Sequence, residues 1–229
     1  MFTFLEPTPI FNRQDLENVF SKDALLFDEE KLLRALEFIA LENTAFNIVK
    51  ASQIYPHILE IKIPKYSSNS SLYFDKRFLH DQEKQIQEVK ISKESVLDRL
   101  WNFPKCIYVW GGNYVQGIEK IANLYPVNTT NSFEKSYSLF QGVDCSGLYY
   151  EVLQATIPRN TKELISYGKQ ISLNAIEPLD ILIWPGHMVI ALDQQKVIES
   201  RLKDGGVIIR DLKERIDMID HPFQVRRII

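Results

Sequence analysis

Four short apolar runs, DILIW, HMVIAL, KVIES and GVIIRDL, follow one another between residues 180 and 212, with PG, DQQ and KDGG between them. Each spacer is a plausible turn, so the runs read as neighbouring strands of an antiparallel sheet. The strongest helix candidate begins at Asp144, with Leu148, Val152 and Ala155 on one face, and lies ahead of these strands rather than between them. A helix followed by an antiparallel sheet is an α+β arrangement, not a series of βαβ units. Every residue after the histidine of HMVIAL is apolar, as expected for a strand buried on both faces.

The first part of the chain has a different texture. FNIVKA, ILEIKI and SLYFDKRF read as short strands broken by Pro and Ser clusters. Over 28–41, DEEKLLRALEFIAL predicts a helix, with Leu32, Leu33, Leu36 and Ile39 in helical spacing and acids in the first turn. From His80 to Phe103 the chain is polar and helix-prone, and it reads as a connecting helix. The expected organisation is a β-rich domain at 1–85, a helical linker at 86–104 and a second domain at 105–229. In the second domain, IPRNTKELISYG predicts a short helix closed by Gly168.

Composition excludes several functions. A net charge of -3 and a pI near 5.9 give no electrostatic reason to expect nucleic acid or an anionic membrane surface as partner. No run of consecutive apolar residues is long enough to predict a membrane span. The first twenty residues lack a basic segment followed by a continuous apolar run, so the expected location is the cytoplasm. Two cysteines are too few for a disulfide framework.

One of them, Cys145, carries the chemical interest. Asp144 is a natural helix cap, which places Cys145 in the first turn among unsatisfied N–H groups. Such a site favours a thiolate and could also hold a tetrahedral oxyanion. Taken alone, DCSG is more often the signature of a small buried thiol, so a base is needed. His187, after LIWPG, opens a strand and is the best candidate; His57, His80 and His221 have weaker settings. On the next strand, a three-residue loop at Asp193, Gln194 and Gln195 would pair Val189 with Glu199. His187 and Glu199 then share a face as diagonal neighbours, and the carboxylate can orient the imidazole. A two-residue loop would separate them, and Glu199 could instead pair with Arg201 or Lys196 at the strand edge. Cys106 has no helix start and reads as structural.

Asp144-Cys145-Ser146-Gly147-Leu148, with Gly186-His187-Met188-Val189-Ile190 downstream, resembles the NlpC-type cell-wall cysteine peptidases, a papain-like family. YVWGG at 108–112 is similar to the Tyr-x-Trp-Gly-Gly that precedes the family's nucleophile. IPRNT at 157–161 resembles its Pro-Arg-x-Ser/Thr segment, and EPLDILIW at 177–184 resembles its Pro-Gly-Asp strand start. The family's third catalytic position, twelve residues after its His, falls on Glu199. The resemblance spans about 105–200.

It implies a papain-like catalytic domain, in which the helix bearing the Cys packs on an antiparallel sheet, preceded by a small SH3-like domain. It also implies hydrolysis of the γ-D-glutamyl to meso-diaminopimelate bond of peptidoglycan stem peptides, in cell-wall recycling or remodelling. Cys145 would attack the carbonyl, His187 would shuttle the proton and Glu199 would orient the imidazole. Tyr108 would lie beside the nucleophile, and Asp144, Ser146 and Thr161 would hold the free L-Ala end of the stem peptide. No cofactor is implied. A zinc site made of Cys145, His187 and Glu199 is the weakest reading, because no paired CxxC or HExxH spacing is present. The chain departs from the family in three places: Glu199 stands where His is more usual, Leu179 replaces a Gly, and residues 113–141 form an insertion before the nucleophile. Acyl or amide transfer on the same three residues, or binding of wall fragments without catalysis, are the alternatives from other classes.

Overall fold

The computed structural model describes residues 1–21, 24–64, 66–79 and 91–229. The chain is a mixed α/β protein forming two compact units, Met1–Glu88 with Val109–Gly142 and Val89–Tyr108 with Val143–Ile229.

The first unit opens with β1 (Phe2–Thr3), β2 (Thr8–Phe11), a single helical turn α1 (Leu16–Val19), β3 (Leu36–Ala40), β4 (Ala45–Ala51), β5 (Ile58–Lys62) and β6 (Leu72–Asp75). The strands pair antiparallel in the order β1-β4-β5-β6-β2-β3. Aromatic side chains fill the core: Phe4 stacks on Phe46 with centroids 4.2 Å apart and meets Phe74 edge-on at 5.1 Å. Each such pair contributes about 1 kcal/mol beyond the area it buries.

The helix expected over 28–41 does not form. Asp28 closes a turn instead, its Oδ1 accepting from the N–H groups of Glu30 and Leu32 at 2.9 and 2.8 Å. The apolar run that follows is β3, paired with β2 from Thr8↔Ala40 to Phe11↔Leu36. A short apolar run fits either period, and here a partner strand contributed from far along the chain decides. Residues 86–90 of the expected linker lie outside the described residues. Its remainder contains α2 (Lys93–Trp101), capped by Ser92 and burying Val96 and Leu100, which belongs to the second unit together with β7 (Ile107–Tyr108).

The chain then returns to the first unit with β8 (Asn113–Tyr114), α3 (Glu119–Leu124) and α4 (Ser132–Ser138). Residues 113–141, read from the sequence as an insertion in the second domain, pack with the N-terminal strands. Phe140 meets Phe11 at 5.9 Å, Tyr125 stacks on Phe20 at 5.2 Å, and Tyr137 meets Phe27 at 5.0 Å. Fully buried Asn113 donates to the Ile39 carbonyl at 2.8 Å and accepts from the Ile39 N–H at 2.9 Å. An excursion with this many apolar groups needs a core to enter, and the N-terminal sheet supplies one.

The second unit continues through β9 (Gly142–Val143), α5 (Cys145–Val152), α6 (Thr161–Leu164), β10 (Lys169–Ile171), β11 (Ile181–Trp184), β12 (His187–Ala191), β13 (Lys196–Arg201), β14 (Gly206–Asp211), α7 (Leu212–Asp217) and β15 (Gln224–Arg227). Seven of its strands run in the order β10-β15-β11-β12-β13-β14-β7, every pair antiparallel. Leu182, Val189 and Val197 share one face and pack with Leu212 and Ile216 of the α7 segment. The alternate residues Met188, Ile190 and Ile198, also buried, point the other way. On that side the Ser200 hydroxyl donates to the Val143 carbonyl at 2.6 Å, just ahead of α5, which packs on β12 and β13.

Where β14 meets β7, Gly206 lies at φ +153°, and a Cβ there would stand 1.9 Å from the Cys106 carbonyl oxygen. Its neighbour Gly205, at φ +78°, has nothing within 4 Å of such a Cβ. Gly206→Ala is expected to destabilise the protein by about 3 kcal/mol or more in denaturant titration, since strain and clash add. Gly205→Ala should cost only about 1 to 2 kcal/mol, the left-handed penalty alone. Equal costs would show that the close approach does not constrain this junction.

Candidate active site

Asp144, in extended conformation with φ −88° and ψ −177°, caps α5 by accepting from the Gly147 N–H at 2.7 Å. Cys145 is thereby fixed as the first residue of the helix, buried to 6% exposure at the positive end of its dipole. His187 opens β12 directly after the Pro185-Gly186 turn, in which Gly186 takes φ +88°. Trp184 is its partner across that hairpin, and the indole and imidazole centroids are 5.2 Å apart.

β12 and β13 pair Ile190 with Ile198 and Ala191 with Val197, with Leu192 N–H bonded to the Lys196 carbonyl at 2.9 Å. This is the register of a three-residue loop at 193–195, and by alternation it puts Glu199 on the face that carries Val189 and His187. Glu199 is fully buried, and its Oε2 lies 2.6 Å from His187 Nε2. Nε2 is committed to Glu199, and Cys145 lies near enough to His187 to act on the charge of its imidazole. Cys145, His187 and Glu199 thus stand in one row, its second link a hydrogen bond.

The charges along this row follow from its contacts. Burial pulls the His187 pKa down, but hydrogen bonds and charge from Cys145 and Glu199 outweigh it and raise the value to about 9. Burial pushes Glu199 up, yet hydrogen bonds and charge from His187 and Arg215 bring it down to about 2. Near neutral pH the row therefore holds an imidazolium against a carboxylate. A thiolate at Cys145 would lie between that imidazolium and a helix N-terminus, the two devices that make a thiol nucleophilic. Cys106 has neither device; burial raises its thiol to about 11, and it is not bonded to Cys145.

Asp144 and Ser146, expected to be substrate ligands, meet a residue to which the sequence pattern assigned no role. Arg159, 2% exposed, donates to both Asp144 oxygens, at 3.0 Å (Oδ1) and 2.7 Å (Oδ2), and to the Ser146 hydroxyl at 2.8 Å. A buried arginine needs a carboxylate, and the Pro-Arg of IPRNT, fifteen positions after a capping Asp, was the available signal. Thr161, two residues on, starts α6 and is partly buried. Tyr108 is partly buried on β7, its N–H bonded to the Gly205 carbonyl at 3.0 Å.

His57 is in the first unit, where its carbonyl accepts from Lys76 at 2.7 Å; His221 is exposed beside Asp220; and His80 lies outside the described residues. Among the described residues no group of three His, Cys, Asp or Glu side chains is placed to hold a metal ion, and no helix is long and apolar enough to cross a membrane.

Residues 106–227 match the NlpC/P60 family. No curated protein matches the chain. Among solved structures it is similar to the peptidoglycan hydrolase RipB from Mycobacterium tuberculosis, with 23% identity over 60% of this chain and 64% of that one and a TM-score of 0.44. The P60 domain of an antigen from M. avium subspecies paratuberculosis gives 20% identity, 60% and 95% coverage and a TM-score of 0.43. NlpC2 from Trichomonas vaginalis gives 14% identity over 98% of this chain and 71% of that one, with a TM-score of 0.41. The chain thus spans less than two thirds of the RipB chain. With more than half of its residues matched, the protein belongs to the NlpC/P60 family, whose members are typically cell-wall peptidoglycan hydrolases.

Proposed function

We propose that this protein is a papain-like cysteine peptidase that hydrolyses the γ-D-glutamyl to meso-diaminopimelate bond of peptidoglycan stem peptides, in recycling or remodelling of the wall. The observation that carries this reading is the row from Cys145 through His187 to buried Glu199, with 2.6 Å between imidazole and carboxylate. The Cys145 thiolate attacks the D-glutamyl carbonyl, and the first-turn N–H groups of α5 face the developing oxyanion. His187 gives its proton to the departing amine, then draws one from water as the acyl-enzyme is hydrolysed. Glu199 keeps the imidazole in the tautomer and orientation that both steps need.

Tyr108 is proposed to position the acyl group. Asp144, Ser146 and Thr161 are proposed to receive the free L-Ala end, its ammonium sharing the Asp144 carboxylate with Arg159. The antiparallel strands within residues 1–85 support an SH3-like module ahead of the catalytic domain at 105–229.

Incubation with L-Ala-γ-D-Glu-meso-diaminopimelate is expected to release L-Ala-γ-D-Glu, and Cys145→Ala should lower the rate by about 10⁴-fold or more. Acetylating the L-Ala amine should cost about tenfold or more in kcat/KM, the value of one charge-assisted contact. An unchanged rate for Cys145→Ala would end the mechanism. Transfer of the acyl group to an added amine in preference to water would reassign the same residues to acyl transfer.

The row also ties stability to pH. Glu199, held at about 2 against an ordinary 4.5, contributes fully above pH 4.5 and loses that contribution as pH falls toward 2. His187, raised to about 9 from 6.5, contributes fully below pH 6.5 and loses its share as pH rises through 9. Denaturant titrations should place the pair's largest contribution between pH 4.5 and 6.5. In the H187Q/E199Q double variant both limbs should flatten; limbs of unchanged steepness would assign the pH dependence to other groups.

A further inference from the structure

Behind the row described above stands a side chain to which its chemistry gives no task. Arg215, on α7, is 2% exposed and among the largest fully buried side chains. Its Nε donates to Glu199 Oε1 at 2.6 Å and its Nη2 to Oε2 at 3.0 Å, the oxygen that also bonds His187. Its guanidinium carbon lies 5.1 Å from the centroid of the Trp184 ring, which on the hairpin stands beside His187.

We propose that Arg215 is a positioning residue: by gripping both oxygens of Glu199 it fixes the carboxylate plane that orients His187, and it limits how tightly that carboxylate holds the imidazolium proton. This rests on the reading of Cys145, His187 and Glu199 given above. Two physical arguments support it. The terminal torsion of a glutamate is broad, so one bond to an imidazole leaves its plane free to turn; a two-point guanidinium fork removes that freedom. A fully buried carboxylate with fewer cations around it would also hold more tightly the proton that catalysis must pass to the leaving amine. A cation on the far side of the carboxylate weakens that hold. The charged and titratable groups facing the row are Cys145 from α5, Glu199 from β13, Arg215 from α7 and Arg210 from β14, whose Nε is 3.2 Å from Glu199 Oε1.

The test measures iodoacetamide alkylation at Cys145, read by peptide mass across pH, together with kcat and KM. The wild type is compared with Arg215→Met, Arg215→Lys, Glu199→Gln and the Arg215→Met/Glu199→Gln double variant. Removing the cation should move the alkaline inflection of alkylation, where His187 loses its proton, upward by about one pH unit. In Arg215→Met, kcat should fall about tenfold or more while KM stays within about twofold. Arg215→Lys keeps the charge and should hold the inflection near its wild-type position. If Arg215 acts through Glu199, Arg215→Met should add less than about twofold to the loss already caused by Glu199→Gln. Should Arg215→Met not fold, the lysine variant and the charge-neutral double variant decide. An inflection unmoved in Arg215→Met, one displaced equally in Arg215→Lys, or losses that multiply in the double variant would reduce Arg215 to a packing role. Wild-type Cys145 alkylating like an ordinary thiol would overturn the catalytic row itself, and this proposal with it.

Discussion

A carboxylate removed from water must be surrounded by donors, and the environment of Glu199 is built to satisfy that demand. β13 carries it into the interior, β12 brings His187 to one oxygen, and α7 brings Arg215 to both. Removing one partner of such a buried cluster typically costs about 3 to 5 kcal/mol, because the charge left behind cannot be rehydrated. The order of the sheet, with β12, β13 and β14 adjacent and α7 following at once, gives short paths between these side chains. Cys145 enters from the opposite side of the strands, on the helix that packs over β12 and β13. The row from Cys145 to Glu199 is thus one end of an internal charge arrangement.

A second buried ion pair repeats the principle at the start of the helix that carries Cys145. Asp144 caps α5, and Arg159 both grips its carboxylate and holds the Ser146 hydroxyl. The helix start is therefore rigid from two directions, through the cap and through the guanidinium fork. In the reaction proposed above, a rigid helix start would keep the thiol and the first-turn N–H groups in place as the carbonyl becomes tetrahedral.

Several parts of the site were legible in the sequence for local reasons. The cap, the helix and the thiol lie within four residues, and the short loop at 193–195 sets the parity that puts Glu199 on the His187 face. Period-two alternation leaves little choice once a hairpin loop is counted. Arg159 and Arg215 were not legible in the same way. An arginine in a polar, helix-prone stretch looks like any solvated cation until the fold buries it beside a carboxylate distant in the sequence. The run at 28–41 failed for a related reason: its apolar spacing suits a helix, while hydrogen bonding to β2 makes its second half a strand.

By itself the sequence determined the α+β order of the second unit, the capped helix carrying Cys145, and the hairpin whose loop length puts Glu199 on the His187 face. Those features depend on residues a few positions apart, where propensity, capping and loop length act directly. Only the tertiary structure decided which cations enter the interior, which unit receives residues 113–141, and whether 36–40 is helix or strand. Those outcomes rest on partners far apart along the chain, and burial gives such long-range contacts their energy.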